Sequence, residues 1–532
     1  MKRVTIGAPW HVLYYYDRKY HNYLRKIKAT GIETYVKWSD IEKEPGQIDF
    51  SNFDRQLEIM KKYGVKWQPF LICGPWYSLP YWFHKSSDCY YFKCLEHSIE
   101  SGIQSIWNPY FKKYVVRFLN LFYQNYKSKM DLIDSLLLGI SGDYGEAIYP
   151  VVGNWDGMYH THKGFWCGDD FAIIDFRDYL KEKFEKIENL NKRWNTSYRS
   201  FDEIKPFLKE NSPSRPAMID MVYWYRTSMI KWVEFWVKEA RKLWKEKDIY
   251  LVMGGDSSAK EGQHYFKAAE ICSKYNVGIR DTNARDNFPY LHTYQAKTSV
   301  ATNFYGNYCS YESSSGSNEK LIVARIFTFI ITNAREFHEY SFHSNEKVIN
   351  NFKKYRKLME INFKRKVDIA VFYPEPYVNW IHEYAISWEI KNLPWGLPPE
   401  LHNSFYNLRY YFDFDIVDDS LIRNGILEKY RVLIIPSFSI IEDDIKELIE
   451  NRIKNKEKII VFGKETPEDV YGNKINFGEE NHIVSLRKLL KILKNMGINV
   501  KERKDGIFEV FDEDGRIICY DEIKNKIFWK RR

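Results

Sequence analysis

The 532-residue sequence predicts an α/β protein: a (β/α)8 TIM barrel over residues 1–364, a flavodoxin-like α/β domain over 365–475 and a C-terminal helix and β-hairpin segment over 476–532. Three observations carry this reading. Apolar runs of strand length alternate with amphipathic stretches at regular spacing past residue 300, which implies a parallel sheet built from right-handed crossovers. No glycine-rich phosphate turn follows the first run, which argues against an open nucleotide-binding sheet. Loops rich in Trp, Tyr and acids follow the strand C-termini, where barrel active sites sit.

The first strand is Val4 to Trp10, followed by a helix from Arg18 to Thr30 that Gly31 closes. The second strand, Ile32 to Trp38, leads through a turn at Glu44-Pro45-Gly46 into a helix from Phe53 to Tyr63. The third, Val65 to Ile72, runs into an aromatic loop, Gly74 to Trp82. After the helix Tyr110–Tyr126 comes the most informative stretch, Ile133 to Pro150. There an apolar run, suited to a strand buried on both faces, stops at Gly139, and Gly142, Asp143, Gly145 and Glu146 follow. The fifth strand is Tyr250 to Asp256, the sixth Val277 to Asp281, the seventh Asn307 to Glu312, and the eighth lies near Glu336 to Phe342. A composition shift at Lys364-Arg365-Lys366 opens the second domain, with strands at Val367–Pro374, Phe414–Val417, Val432–Pro436 and Lys458–Gly463. The last segment holds a helix near Ile483–Met496 and a hairpin turning at Asp514-Gly515.

The net charge of +9 is spread along helices in which Lys and Glu alternate, as solvated faces require, so nucleic acid is not an expected partner. No run is long and apolar enough to span a bilayer, and the N-terminus lacks a signal-peptide core, so a cytoplasmic protein is expected. The richness in Lys, Ile and Glu is compatible with a thermophilic source. Seven scattered cysteines include no C-x-x-C pair, so no cofactor and no metal are expected. His160-Thr161-His162 with Cys167 has no standard ligand spacing and reads as a pocket wall.

Two acids, Glu146 after the fourth strand and Glu312 at the end of the seventh, face each other across the predicted barrel mouth. Paired carboxylates flanking a glycosidic bond are the apparatus of glycoside hydrolysis. Asp143 is expected to hold a sugar hydroxyl or the loop. Trp10, Trp38, Trp76, Trp107 and Trp155 are candidate sugar walls, and Arg280, Asn303 and His338 candidate lining residues. A structural role for each aromatic carries about equal weight. An inverting barrel with Glu339 or Asp281 as base, and a non-catalytic carbohydrate-binding barrel, are the alternatives.

The chain resembles the family 42 glycoside hydrolases, barrel β-galactosidases, over roughly residues 4 to 470. The resemblance rests on Gly31-Ile32-Glu33 through Trp38, Glu44-Pro45-Gly46-Gln47-Ile48-Asp49-Phe50 with Leu57, Gly64-Val65-Lys66, the loop from Pro75 to Trp82, and Asn191 to Ile204. It implies a retaining mechanism on terminal β-galactoside-like bonds, with Glu146 as acid/base and Glu312 as nucleophile, and a trimer formed through the barrel and the second domain. Where that family usually has Asn before the acid/base, this chain has Gly145, and the Cys-rich metal site of many members is absent. Gly145-Glu146-Ala147-Ile148-Tyr149-Pro150 is instead similar to the Gly-Glu-x-x-Tyr-Pro of the β-amylases, family 14, which are inverting barrels.

Overall fold

The computed structural model describes residues 2–7, 18–142, 144–151, 160–254, 258–284, 290–313, 319–339, 346–382, 405 and 407–530. Eight parallel strands close into a barrel: β1 (Arg3–Gly7), β2 (Gly31–Lys37), β3 (Lys66–Ile72), β4 (Leu136–Gly139), β5 (Ile249–Met253), β6 (Gly278–Ala284), β7 (Cys309–Ser313) and β8 (Glu336–Glu339). Each strand pairs with its sequence neighbours, and β1 closes the ring on β8 with Thr5 beside His338. All eight lie at the expected places. Between them run α1 (Arg18–Ile27), α2 (Ser51–Lys62), α3 (Phe111–Tyr126), α4 (Asp170–Phe184), α5 (Ile187–Trp194), α6 (Arg215–Leu243), α7 (Tyr265–Lys274), α8 (Tyr290–Phe304) and α9 (Glu319–Ile331), and α10 (Glu346–Met359) follows β8.

Strand alternation sorts the residues. One parity faces the helices: Ile32, Val36, Trp67, Leu71, Leu138, Leu251 and Ile279 join the main core, which is continuous with the packed helices. The other parity fills the barrel interior in two unlike halves. Tyr35, Phe70, Ile72, Leu137, Tyr250, Val252 and Tyr308 form a separate apolar cluster. The rest is polar. Arg280, fully buried on β6, donates to Glu33 on β2, to Glu336 on β8 and, at 2.7 Å, to Gln68 on β3. Gln68 in turn donates to Glu336 and to Ser135, each at 2.7 Å, and Ser310 donates to Glu336 at 2.8 Å. TIM barrels usually fill this space with branched aliphatic side chains. A buried cation and two carboxylates endure here because each guanidinium and carboxylate group is hydrogen-bonded across the barrel.

The second sheet contains β9 (Ile369–Tyr373), β10 (Asp415–Asp418), β11 (Val432–Pro436), β12 (Lys458–Phe462) and β13 (His482–Ile483), in the parallel order β10-β9-β11-β12-β13, the flavodoxin order. It meets the barrel through Arg226 of α6, which is buried and bonds Glu375, Asn379 and the Gln263 carbonyl. The C-terminal hairpin is extended to a three-stranded antiparallel sheet, β14 (Ile507–Phe511), β15 (Ile517–Asp521) and β16 (Lys526–Lys530). It docks on α10, whose Tyr355 hydroxyl accepts from the Ile527 amide at 3.1 Å. The third strand is an addition to the expected segment. No helix among the described residues is long and apolar enough to cross a membrane.

Replacing Arg280 with Met is expected to cost about 3–5 kcal/mol, because Glu33 and Glu336 are left buried without their cation. The check is the denaturation midpoint of R280M, which should fall well below that of a surface control such as Arg503→Met.

Candidate active site

Glu146 is carried by a tight turn after β4. The Ile140 amide donates to the Gly145 carbonyl at 2.7 Å, and Ser141 bridges Gly145 in a narrow antiparallel contact. The turn needs left-handed backbone at Gly142 (φ +59°) and Gly145 (φ +89°). A side chain at Gly145 would also press on Phe70 and Gly139, 3.2 and 3.3 Å from its Cβ. The asparagine that precedes the acid/base in the related family therefore has no strain-free equivalent at this position. Beyond Glu146 the chain is fastened on both sides. The Ala147 amide bonds the Val252 carbonyl at 2.9 Å, and the Tyr149 amide bonds that of Glu261 at 3.0 Å. The Tyr149 ring is buried, stacks on Tyr225 at 3.9 Å between centroids, and donates its hydroxyl to the Tyr225 carbonyl.

The Glu146 carboxyl lies over the ends of β5 and β6. Thr282, two residues beyond Arg280 and so on the interior face, donates to its Oε1 at 2.6 Å. Gly254, just past β5, lies so close that a Cβ there would overlap the carboxyl. Burial raises the Glu146 pKa to about 7; Asp281 adds to the rise, and the Thr282 hydrogen bond opposes it. A carboxyl in that range can carry a proton at neutral pH and release it.

Glu312 also faces the interior, beside His338 across the β7–β8 pairing. One donor atom from each of Glu312, Glu33 and His338 lies within 4.8 Å of the others. Arg280 Nη1 stands 3.7 Å from Glu312 Oε2. Burial and the nearby Glu33 push the Glu312 pKa well up; Glu146 and Glu336 add to this, and Arg280 pulls it down. Glu33 is likewise raised to about 7, by burial against the pull of Arg280. His338 is fully buried, with its Nδ1 2.9 Å from the Thr5 hydroxyl, and burial holds its pKa well below the usual range.

The structure thus brings together Glu146, Glu312, Arg280 and His338, and adds Glu33, Gln68, Gly254, Thr282 and Glu336. Arg280 and His338 back the site from beneath rather than line its mouth. Several other expectations are corrected. Trp38 is fully buried: its indole N–H donates to Glu42 at 2.9 Å and its ring packs on Trp82, Phe83 and Tyr114, so it is not a sugar wall. Trp107 stacks between Tyr149 and Trp224 at 5.8 and 5.3 Å, inside the pile that supports the Glu146 loop. Asn303 is an exposed residue of α8. Trp76 stays partly exposed on the loop after β3, with its ring 3.7 Å from that of His84. Trp10, Asp143 and Trp155 lie outside the described residues. The two alternative bases fail on parity. Asp281 and Glu339 alternate with the interior residues Arg280 and His338, so both point to the helices, and Asp281 is bonded there by Thr298 at 3.1 Å.

Beside the Glu146 loop the structure assembles a set of metal-binding donors that sequence spacing did not reveal. Donor atoms of Cys94, His97, His160 and His162 lie within 4.8 Å of one another. Cys94 Sγ is 3.7 Å and His97 Nδ1 3.1 Å from His160 Nε2. His162 Nε2 is buried with no hydrogen-bond partner, and a Cβ at Gly164 would collide with the His162 ring. One thiol and three imidazoles at these separations suit a tetrahedral zinc ion, whose ligand atoms sit about 3.3–3.8 Å apart. Cys167, near His160 and His162 in sequence, is buried outside the group.

Comparison with known proteins agrees with this architecture. The chain is 25% identical over 196 residues to a thermophilic β-amylase of Thermoanaerobacterium thermosulfurigenes, covering 34% of this chain and 35% of that protein. It is 24% identical over 227 residues to a β-galactosidase of Haloferax lucentense, covering 40% and 31%. The chain therefore spans about a third of the length of these curated relatives. Among solved structures, the β-galactosidase of the psychrophilic Marinomonas ef1 superposes with a TM-score of 0.69 at 13% identity, covering 98% of this chain and 95% of that one. The catalytic domain of the Paenibacillus polymyxa β-amylase gives 0.57 at 18% identity, covering 66% and 97%. The family model described as β-galactosidase, glycoside hydrolase family 42, matches residues 16–317, more than half of the chain, and the protein belongs to that family.

Proposed function

We propose that the protein is a retaining β-glycosidase acting on terminal, β-galactoside-like bonds, with Glu146 as acid/base and Glu312 as nucleophile. The observation that carries this is the pair itself. Two largely enclosed carboxylates from the ends of β4 and β7 share one barrel mouth, where the charge of Glu146 bears on Glu312, while the third interior acid close by, Glu33, is tied up by Arg280. In the first step Glu312 attacks the anomeric carbon while Glu146 gives its proton to the departing glycosidic oxygen. In the second, ionised Glu146 takes a proton from water, whose oxygen displaces Glu312 and frees the sugar. Arg280 favours the charged form of Glu312 and holds it in place through the network beneath. The family resemblance carries with it a homotrimer formed through the barrel and the second domain.

In this reading Cys94, His97, His160 and His162 hold a structural zinc ion that ties the loop after β3 to the segment after Glu146. With its four positions taken by protein donors the ion supplies no reacting ligand and acts as a cross-link. Elemental analysis of protein from zinc-supplemented cells is expected to find about one zinc per chain, and Cys94→Ser should lose it.

Glu146→Ala and Glu312→Ala should each lower kcat by roughly a thousandfold or more on a nitrophenyl galactoside. Azide should rescue both and separate their roles, giving a β-glycosyl azide with Glu146→Ala and an α-glycosyl azide with Glu312→Ala. The same product from both variants would reverse or remove the assignment.

The pH dependence follows from the protonation states required. The general acid must be protonated, so kcat/KM should fall as pH rises through about 7, where Glu146 gives up its proton. The acidic limb reports ionisation of Glu312, and its position reflects the buried acids as a group. In Glu146→Gln, the alkaline limb should disappear when a substrate with a good leaving group is used.

A further inference from the structure

Glu146 has two oxygens, and only one of them can carry the proton that reaches a glycosidic oxygen. Among the described residues, the hydrogen-bond partner of this carboxyl is Thr282, 2.6 Å from Oε1. The same hydroxyl is 3.3 Å from the Met253 carbonyl. A threonine hydroxyl has one proton to give, and the shorter contact assigns it to Glu146. Met253 is the last residue of β5, and Gly254, next in the chain, lies against the face of the carboxyl, where a Cβ would strike its carbon and both oxygens alike. The group is thus held between a donor on β6 and backbone on β5. Valine at 282 would keep this shape and the β-branched strand preference while removing the donor.

We propose that Thr282 is a positioning residue that selects the reactive oxygen of Glu146: by donating to Oε1 it keeps the catalytic proton on Oε2. This rests on Glu146 being the acid/base. When Glu146 is protonated, Oε1 is the carbonyl oxygen and accepts from Thr282, so Oε2 bears the hydrogen. When Glu146 is ionised in the second step, the same hydrogen bond stabilises the carboxylate, and Oε2 is the oxygen that takes the proton from water. Thr282 gains and loses no proton in either step. Its hydroxyl is a fixed donor that serves both states. The charged groups that bear on Glu146 are Glu312 on the interior face of β7 and, from the outer face of β6, Asp281. Both are acidic, so each opposes ionisation, and among the described residues the Thr282 hydrogen bond is the interaction that favours it.

The test compares wild type, Thr282→Val, Thr282→Ser and Glu146→Ala on aryl galactosides of graded leaving-group ability. Thr282→Val should move the alkaline limb of kcat/KM upward by about one pH unit, because a hydrogen bond to the charged form is lost. It should lose roughly a hundredfold on poor leaving groups, which need the proton, and little on a dinitrophenyl substrate, which does not. Thr282→Ser, which keeps the hydroxyl, should restore both properties. An unmoved limb, or an equal loss on good and poor leaving groups, would mean that Thr282 only packs, and would overturn the proposal. Glu146→Ala keeps the two ideas apart. If it shows no leaving-group dependence, the acid/base assignment itself fails, whatever Thr282→Val does.

Discussion

Arg280 is the fixed point of the barrel. A guanidinium cannot shed its charge inside a protein, so carboxylates must be brought to it. β2 and β8 supply Glu33 and Glu336, and β3 supplies Gln68, which accepts from Arg280 and donates to Glu336. The arrangement spans the barrel and correlates the register of four strands, because a slip of one residue in any of them would turn its polar group out to the helices. It also sets the floor of the site. Glu312 stands on the same face one layer above Ser310 and close to a cation already engaged by two other acids. Arg280 there favours the charged form of Glu312 against burial and the nearby Glu33, and at 3.7 Å it does so without locking the carboxylate in a tight ion pair.

The two mouth carboxyls differ in what surrounds them, and this difference divides the labour between them. Glu146 has a hydroxyl, a glycine and acidic neighbours about it, all compatible with a proton that comes and goes near neutrality. Glu312 has a cation beneath it. Burial raises both carboxyls, and only Glu312 has a cation beside it to oppose the rise; that asymmetry of surroundings is the kind by which one site holds both an acid and a nucleophile.

The architecture was largely legible in the sequence, because barrel strands buried on both faces are continuous apolar runs and need no long-range information to be seen. That same property concealed the interior. In a run such as Ile32-Glu33-Thr34-Tyr35-Val36 both faces are buried, so the period-two signal that would show which way Glu33 points is lost. Trp38 was misjudged for a related reason. An aromatic at a strand end suits a sugar platform and a helix-packing core equally well, and only the position of Tyr114 on α3 decides between them. The Cys94–His162 cluster draws its donors from two loops, with His160 66 positions after Cys94, so no local spacing could signal it. β16 was missed because its turn uses Asn525 at φ +47° where a hairpin signal would have a glycine.

The similarity to β-amylases around Gly145 to Pro150 concerns how the acid is mounted more than what it does. Gly145 supplies a left-handed turn, and Tyr149 is sealed under Tyr225 and against Gly262, where a Cβ would strike its ring. None of these groups meets the Glu146 carboxyl among the described contacts. They fix the chain on either side of it, and any barrel that hangs an acid from its fourth strand faces the same mechanical problem. The reaction's stereochemistry depends on the opposite wall, on how far the second carboxyl stands from the sugar and whether water fits between them. There Glu312 reaches inward from β7 with Arg280 3.7 Å away, while the acids that would serve an inverting base on the neighbouring strands, Asp281 and Glu339, point outward.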